Sequence, residues 1–329
     1  MFYITSRGHA ATGWLSQALS IHPNIVCWHG TRSIPPYSAG HEKDLSEEEF
    51  VKGLAQCELL KNGANTGMKK FGACHGFYGT KLLKYINKYN GTFLAITRNP
   101  ITNIHSHFSE FLTTTHAKSQ KNILYKFNIN DLYKDHYKKI NTNFNKIINL
   151  KNERKEKKEI FFDNLKNLKL YLPLRKFYRF AKKKEKSFSI DNKKININKL
   201  IKKFGSDYVI ENVILNFVNH CNILFDTTEE IYKKIGFRDF ISMEKMTVSS
   251  SYFNNQIFKK IMNRNAEKEY LLKIYKILPS HRHSFKVMGP EEIYNAWPKT
   301  FKDYFSKMYE KNKAKKMFAM MNYKIEKII

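Results

Sequence analysis

At 329 residues with 42% hydrophobic side chains, the chain can bury a sizeable core as one large α/β domain with an insertion or as two smaller ones, which excludes a disordered class. Its formal net charge of +29 implies basic surfaces that attract polyanions such as nucleic acid, acidic glycans, nucleotides or anionic headgroups. The joint abundance of lysine, asparagine and isoleucine is also what biased coding composition produces. The four cysteines, Cys27, Cys57, Cys74 and Cys221, form no CxxC pair, which argues against a zinc site or a disulfide framework and for a reducing compartment.

FYIT (2–5) is a predicted strand. Beginning at residue 2, it leaves no room for a signal peptide, and no run of 18 apolar residues follows, so a soluble, cytoplasmic chain without a transmembrane segment is expected. TGWLSQALS (12–20) predicts a helix, since Trp14, Leu15, Ala18 and Leu19 recur at helical spacing. After the proline of IHPNIVCWH (21–29) comes a second short strand. LSEEEFVKGLAQCELL (45–60) predicts a helix opened by a capping box, Ser46 with Glu49 three residues on. TGMKKFG (66–72) predicts a third strand, GTKLLKYINKY (79–89) a helix, TFLAITR (92–98) a buried strand, and PITNIHSHFSEFL (100–112) a helix with proline in its first turn. Strands and helices alternating at this spacing argue for a parallel sheet with helices on both faces.

Between about 113 and 207 lysine, asparagine and aromatic residues take over, with apolar positions that still fit helices. The expectation is a helical insertion within a single domain spanning 1–329, since disorder needs fewer aromatic and aliphatic residues. Helix resumes over 208–222, DFISMEKM (239–246) predicts a returning strand, NNQIFKKIMN (254–263) a helix, and the chain from 291 on is helical.

Two stretches carry chemistry. In YITSRGHAATGWL (3–15) a strand feeds a loop of small residues that opens a helix, where exposed backbone N–H groups and the helix dipole favour an anion. The lysine of an ATP or GTP P-loop is missing. In TFLAITRNPITNIHSHF (92–108) an arginine ends a strand and a serine follows eight positions later, which sets a guanidinium and a hydroxyl near one point beyond the sheet. A small-residue loop alone is often only a tight turn, and the arginine–serine spacing alone says little. Their order, each at a strand end, with His22 and Pro23 after the first helix, gives the pair its meaning.

This pair resembles the sulfotransferase family, whose donor is 3′-phosphoadenosine-5′-phosphosulfate. HAATGWL (9–15) is similar to that family's KSGTTWL, RNPITNIHS (98–106) to its RNPKDVAVS, and ALSIHPNI (18–25) to the segment that ends its first helix. The resemblance is specific over 2–29 and 92–108, fair over 66–76 and faint beyond 240, and 113–207 matches nothing in it. It implies a P-loop-like sulfotransferase fold in which the backbone from Gly8 through Ala10 and Ala11 to Gly13, with the Thr12 hydroxyl, grips the 5′-phosphate. Trp14 would face the adenine, and Arg98 and Ser106 would bind the 3′-phosphate. His9 stands where the family has a lysine that stabilises charge on the leaving phosphate, and Arg7 offers a permanent charge nearby. SMEKM (242–246) is similar to the family's SYEEM, with Met243 in place of an aromatic, and HRHSFKVMG (281–289) to its RKGxxG loop, with Arg282 as the contact.

Sulfuryl transfer moves a trigonal group in line from a phosphate leaving group to an acceptor oxygen or nitrogen, so positioning and charge stabilisation dominate and no metal is called for. A general base for the acceptor remains to be found. His75, at the end of MKKFGACH, lies near where cytosolic members of the family place a catalytic histidine, and His29 near where other branches place a carboxylate. Lys69 and Lys70 are further candidate contacts, or a solvated face. The acceptor is expected to be a small molecule or glycan, with an acidic or sugar-containing one suited to the basic, aromatic insertion. Two other readings compete: a basic nucleic-acid-binding protein, resting on the charge and on the interleaved basic and aromatic residues of 113–203, and a P-loop kinase, for which no Walker-type magnesium partner is found.

Overall fold

Phe2 to Ser6 form a strand buried along its whole length, β1, which marks a strand covered on both faces of a parallel sheet. A computed structural model describes residues 1–7, 10–29, 46–62, 69–74, 79–108, 112–116, 121–126, 136–153, 190–194, 196–277 and 288–329. After β1 come helix α1 (Thr12–Ser20), β2 (Ile25–His29), α2 (Glu47–Asn62), β3 (Lys70–Cys74), a 3₁₀ turn (Gly79–Leu82) leading into α3 (Leu83–Lys88), β4 (Thr92–Thr97) and α4 (Pro100–Phe108). The following segment contributes β5 (Leu112–His116), β6 (Lys121–Lys126), a helix over 136–153 and β7 (Ile190–Lys194). The helix Ile197–Phe204, the long helix Ser206–Ile235 and β8 (Phe240–Ser242) come next, and the rest is helical.

β1 to β4 and β8 form one sheet in the order β2-β3-β1-β4-β8, and every neighbouring pair in it is parallel. From β1 the chain goes first to one side, to β2 and β3, and then crosses to β4 on the other. That reversal leaves a crevice beyond the carboxyl ends of β1 and β4, the place where open parallel sheets bind ligands. Register sets the two ends one residue apart, with Phe2 opposite Thr92 and Ser6 opposite Ile96, and β4 running on to Thr97.

Alternation along β1 divides the core. Phe2 and Ile4 face one cluster with Trp14, Leu15, Ala18 and Leu19 of α1, while Tyr3 faces another with Phe50, Val51 and Leu54 of α2 and Phe93 of β4, as the two-residue period of a strand requires. The capping box at α2 forms: the Ser46 N–H donates to Glu49 Oε2 at 2.9 Å and the Glu49 N–H to Ser46 Oγ at 3.3 Å.

The chain divides into two compact units, one of Met1–Asn103, Ile223–Pro290 and Tyr309–Ile328, the other chiefly of Ile104–Asn222 and Glu291–Met308. The first holds the parallel sheet. In the second, Phe217 stacks on Phe301 with ring centres 4.0 Å apart and meets Trp297 edge-on at 5.1 Å, and Asn141 Oδ1 accepts from the Thr300 N–H and hydroxyl at 3.1 and 2.9 Å.

Several expectations shift. β3 starts four residues later than TGMKKFG suggests and runs to Cys74. The returning strand shrinks to three residues, because the Ser242 side chain accepts from the Lys245 N–H and starts a helical turn, Met243–Met246. The insertion is less helical than expected, since it also carries the three-stranded sheet β5-β6-β7, antiparallel and then parallel. The consecutive β-branched threonines of LTTTH and the short apolar run in KNILYK favour strand, a local signal that the surrounding helical periodicity hides. No helix among the described residues is long and apolar enough to cross a membrane.

Candidate anion site at the ends of β1 and β4

Because β1 and β4 are neighbours whose ends lie one residue apart, the first residue after each leaves the sheet beside the other. Arg7 follows β1, Arg98 follows β4, and both line one cavity with Ala10, Thr97 and, from the long helix, Thr227 and Thr228. It is small, about 10 Å³, room for about one water. Its described lining holds two guanidiniums, three threonines and Asn103 among five apolar side chains, with no carboxylate, so its charged groups are all cationic and suited to an anion. Burial pushes the Arg7 guanidinium below its ordinary value. Arg98 is lowered by burial too, against the opposing charge of Glu244.

The first helix opens without a capping side chain. Ala11 takes the Ncap position in the left-handed region, φ 56° and ψ 31°, with no side-chain hydrogen bond to the helix. A residue with a Cβ pays about 1–2 kcal/mol there, and a left-handed residue running into a helix aims successive N–H groups at one point, an anion-binding nest. Thr12 Oγ1 lies 3.0 Å from His29 Nε2, so the end of β2 sits over the first turn of α1. A Cβ added at Gly13 would meet His29 Nε2 at 3.7 Å, an ordinary contact, so the imidazole does not itself demand glycine.

On the other side of the crevice a polar network holds the β4–α4 turn. Arg98 Nε donates to Thr102 Oγ1 at 3.0 Å, and Asn99 Oδ1 accepts the Ile101 N–H at 3.0 Å, starting α4. The Asn99 N–H donates to Glu244 Oε1 at 2.9 Å. Glu244 Oε2 accepts from the Ser242 hydroxyl at 3.2 Å and the Tyr323 hydroxyl at 2.9 Å. That tyrosine oxygen also lies 3.3 Å from both Thr97 O and Ser242 Oγ. Burial, with Glu244 beside it, pushes the Tyr323 hydroxyl well up, so it stays a donor. Ser242 is capped in turn from behind, its N–H donating to the Tyr252 hydroxyl oxygen at 2.8 Å.

The structure brings Arg7, Ala10 and Arg98 together, and Thr12 together with His29. Gly8, His9, His75 and Arg282 lie outside the described residues. Ser106 is half-buried on α4, in the stretch that belongs to the second unit. Trp14 is 1% exposed, edge-on to Phe253 at 6.1 Å and tilted against Tyr275 at 5.9 Å. Packing takes up its ring, so the adenine-facing role implied for it has no free face behind it. Met243 is half-buried and packs against the same cluster. Lys70 pairs with Glu58 at 3.1 Å. Sequence reasoning missed Glu244, Thr228 and Tyr323. The first stood inside SMEKM beside a serine able to cap, which was a readable signal; a tyrosine between the helix Lys315–Met320 and the 3₁₀ turn Ile325–Lys327 gave none. No metal-holding group of three or more histidine, cysteine, aspartate or glutamate residues occurs among the described residues. No family model, curated protein or solved structure matches this chain.

Proposed function

We propose that the chain is a sulfotransferase, moving a sulfuryl group from 3′-phosphoadenosine-5′-phosphosulfate to a hydroxyl or amine of a small-molecule or glycan acceptor. One observation carries the reading: the arginines that follow two adjacent parallel strands share a carboxylate-free cavity at the point where the sheet's connections reverse. The two guanidiniums match phosphate oxygens in charge and geometry, while the cavity itself has room for about one water. The uncapped first turn of α1 and Arg7 would take the 5′-phosphate, and Arg98 the 3′-phosphate.

The nucleotide supplies the activated sulfuryl group; the chain supplies charge and orientation. Two guanidiniums held in partly buried surroundings lower the cost of charge gathering on a leaving phosphate more than they would in open water. With its Nε2 protonated, His29 donates to Thr12, which leaves the threonine hydrogen free to turn to a phosphate oxygen. With Nε2 bare, His29 accepts from Thr12, and a proton from an acceptor hydroxyl could reach the ring only through that threonine.

Isothermal titration tests the reading. Adenosine 3′,5′-bisphosphate is expected to bind at least about tenfold tighter than 5′-AMP, the worth of one charge-assisted hydrogen bond. Equal binding of the two would remove its basis. Acceptors are then screened with radiolabelled donor.

A further inference from the structure

We propose that Glu244 is the positioning residue for Arg98 and that Tyr323 is the latch that holds its carboxylate in place. The inference rests on the reading of Arg98 as a phosphate ligand. Its geometry stands independently of that reading.

Glu244 reaches the β4–α4 turn from the helical turn that follows β8, the strand next to β4. One carboxylate oxygen takes the N–H of Asn99, the residue after Arg98, and so fixes the peptide from which the guanidinium departs. The other oxygen is held by the Ser242 and Tyr323 hydroxyls. Ser242 is fully buried and Tyr323 is 8% exposed. Tyr323 lies within 3.3 Å of Thr97 O at the end of β4, which ties the last residues of the chain to the turn itself.

A carboxylate is an expensive way to hold two strands together. Glu244 is half-buried, and even partial withdrawal of a charge from water makes such networks often neutral for stability. What they provide is a fixed geometry, because every donor has one place to point. Arg98 gains doubly. Its backbone is fixed through Asn99, and the charge of Glu244 offsets the burial that disfavours its own.

The experiment compares wild type, Glu244→Ala, Glu244→Gln, Tyr323→Phe, Arg98→Ala and the double variant Arg98→Ala/Glu244→Ala. Two readouts are taken: the rate at which phenylglyoxal modifies Arg98, mapped by peptide mass, and the ratio of affinities for adenosine 3′,5′-bisphosphate and 5′-AMP. Glu244→Ala is expected to speed Arg98 modification several-fold and to cut the affinity ratio about tenfold, with no further cut once Arg98 is alanine. Glu244→Gln is expected to restore the ratio to within about threefold, since the amide oxygen still accepts from Asn99. Tyr323→Phe removes one hydroxyl and little volume, so it carries the same test, at about threefold, should the alanine variant fail to fold.

The proposal is overturned if Arg98 modification is unchanged in both Glu244→Ala and Tyr323→Phe. It is overturned equally if Glu244→Ala tightens bisphosphate binding, which makes Glu244 only a repelling charge. A ratio that keeps falling in the Arg98→Ala background also overturns it. If modification speeds up while wild type shows no preference for the bisphosphate, positioning stands and the sulfotransferase reading fails.

Discussion

Arg98 is where charge, burial and backbone meet. Its guanidinium is held by Thr102 and offset by Glu244, and it shares its cavity with Arg7. Two cations at one crevice repel until an anion joins them, so truncating either should remove binding rather than shape. Arg98→Ala is expected to weaken adenosine 3′,5′-bisphosphate binding by about 10- to 100-fold while leaving 5′-AMP within a factor of about three; paired titrations read both numbers. A second residue sets a pH dependence. His22 is 3% exposed, its ring 5.1 Å from that of Phe258 and 4.9 Å from that of Tyr270. Burial pushes its pKa below the ordinary histidine value, against the pull of Glu267. As pH falls through about 6.5, the unfolded chain binds the proton and the folded one resists, so unfolding is favoured. Melting temperature is expected to drop between pH 7.5 and 5.5, and less in His22→Gln; an equal drop in both would place the titration elsewhere.

Elements stand or fall on single close approaches. A Cβ at Gly72 of β3 would sit 2.4 Å from the ring of Phe2, and Phe2 is fully buried with nowhere to go. Gly72→Ala is therefore expected to cost about 1–3 kcal/mol, read as a lowered denaturation midpoint; an unchanged midpoint would mean that β1 and β3 do not pack as described. Ser46→Ala at the start of α2 is expected to cost about 1 kcal/mol in the same assay. Elements fixed by local chemistry were the readable ones. The run FYIT, the helical spacing of TGWLSQALS, the Ser46–Glu49 box and the proline opening α4 each announce themselves within a few residues. Elements decided by distant partners were not. β3 takes its register from β1 and β2, which moves it past the expected residues. Trp14 looks like a site residue beside the loop, yet contacts with Phe253 and Tyr275, more than two hundred positions away, bury it. The arginines were legible because strand ends are, and Glu244 had a local signal in the capping serine of SMEKM; Tyr323 acquires meaning only once β8 lies beside β4.

On the scale of the whole molecule the net charge of +29 guarantees attraction to polyanions, which by itself names no function. Diffuse attraction and a built phosphate site respond differently to salt. Oligonucleotide binding is expected to fall by on the order of a thousandfold between 50 and 200 mM salt, whereas the preference for a bisphosphate over a monophosphate should fall far less. Oligonucleotide affinity that survives near physiological salt, with no response to the bisphosphate, would instead favour a nucleic-acid partner. On the proposed reading, one nucleotide phosphorylated at both the 3′ and 5′ positions would be met by the first turn of α1 and by the β4–α4 turn at once. The most direct test is calorimetric titration of the full chain with adenosine 3′,5′-bisphosphate, 3′-AMP and 5′-AMP under one buffer. The bisphosphate is expected to bind at least about tenfold tighter than either monophosphate. Three equal affinities, or binding of none, would contradict that reading.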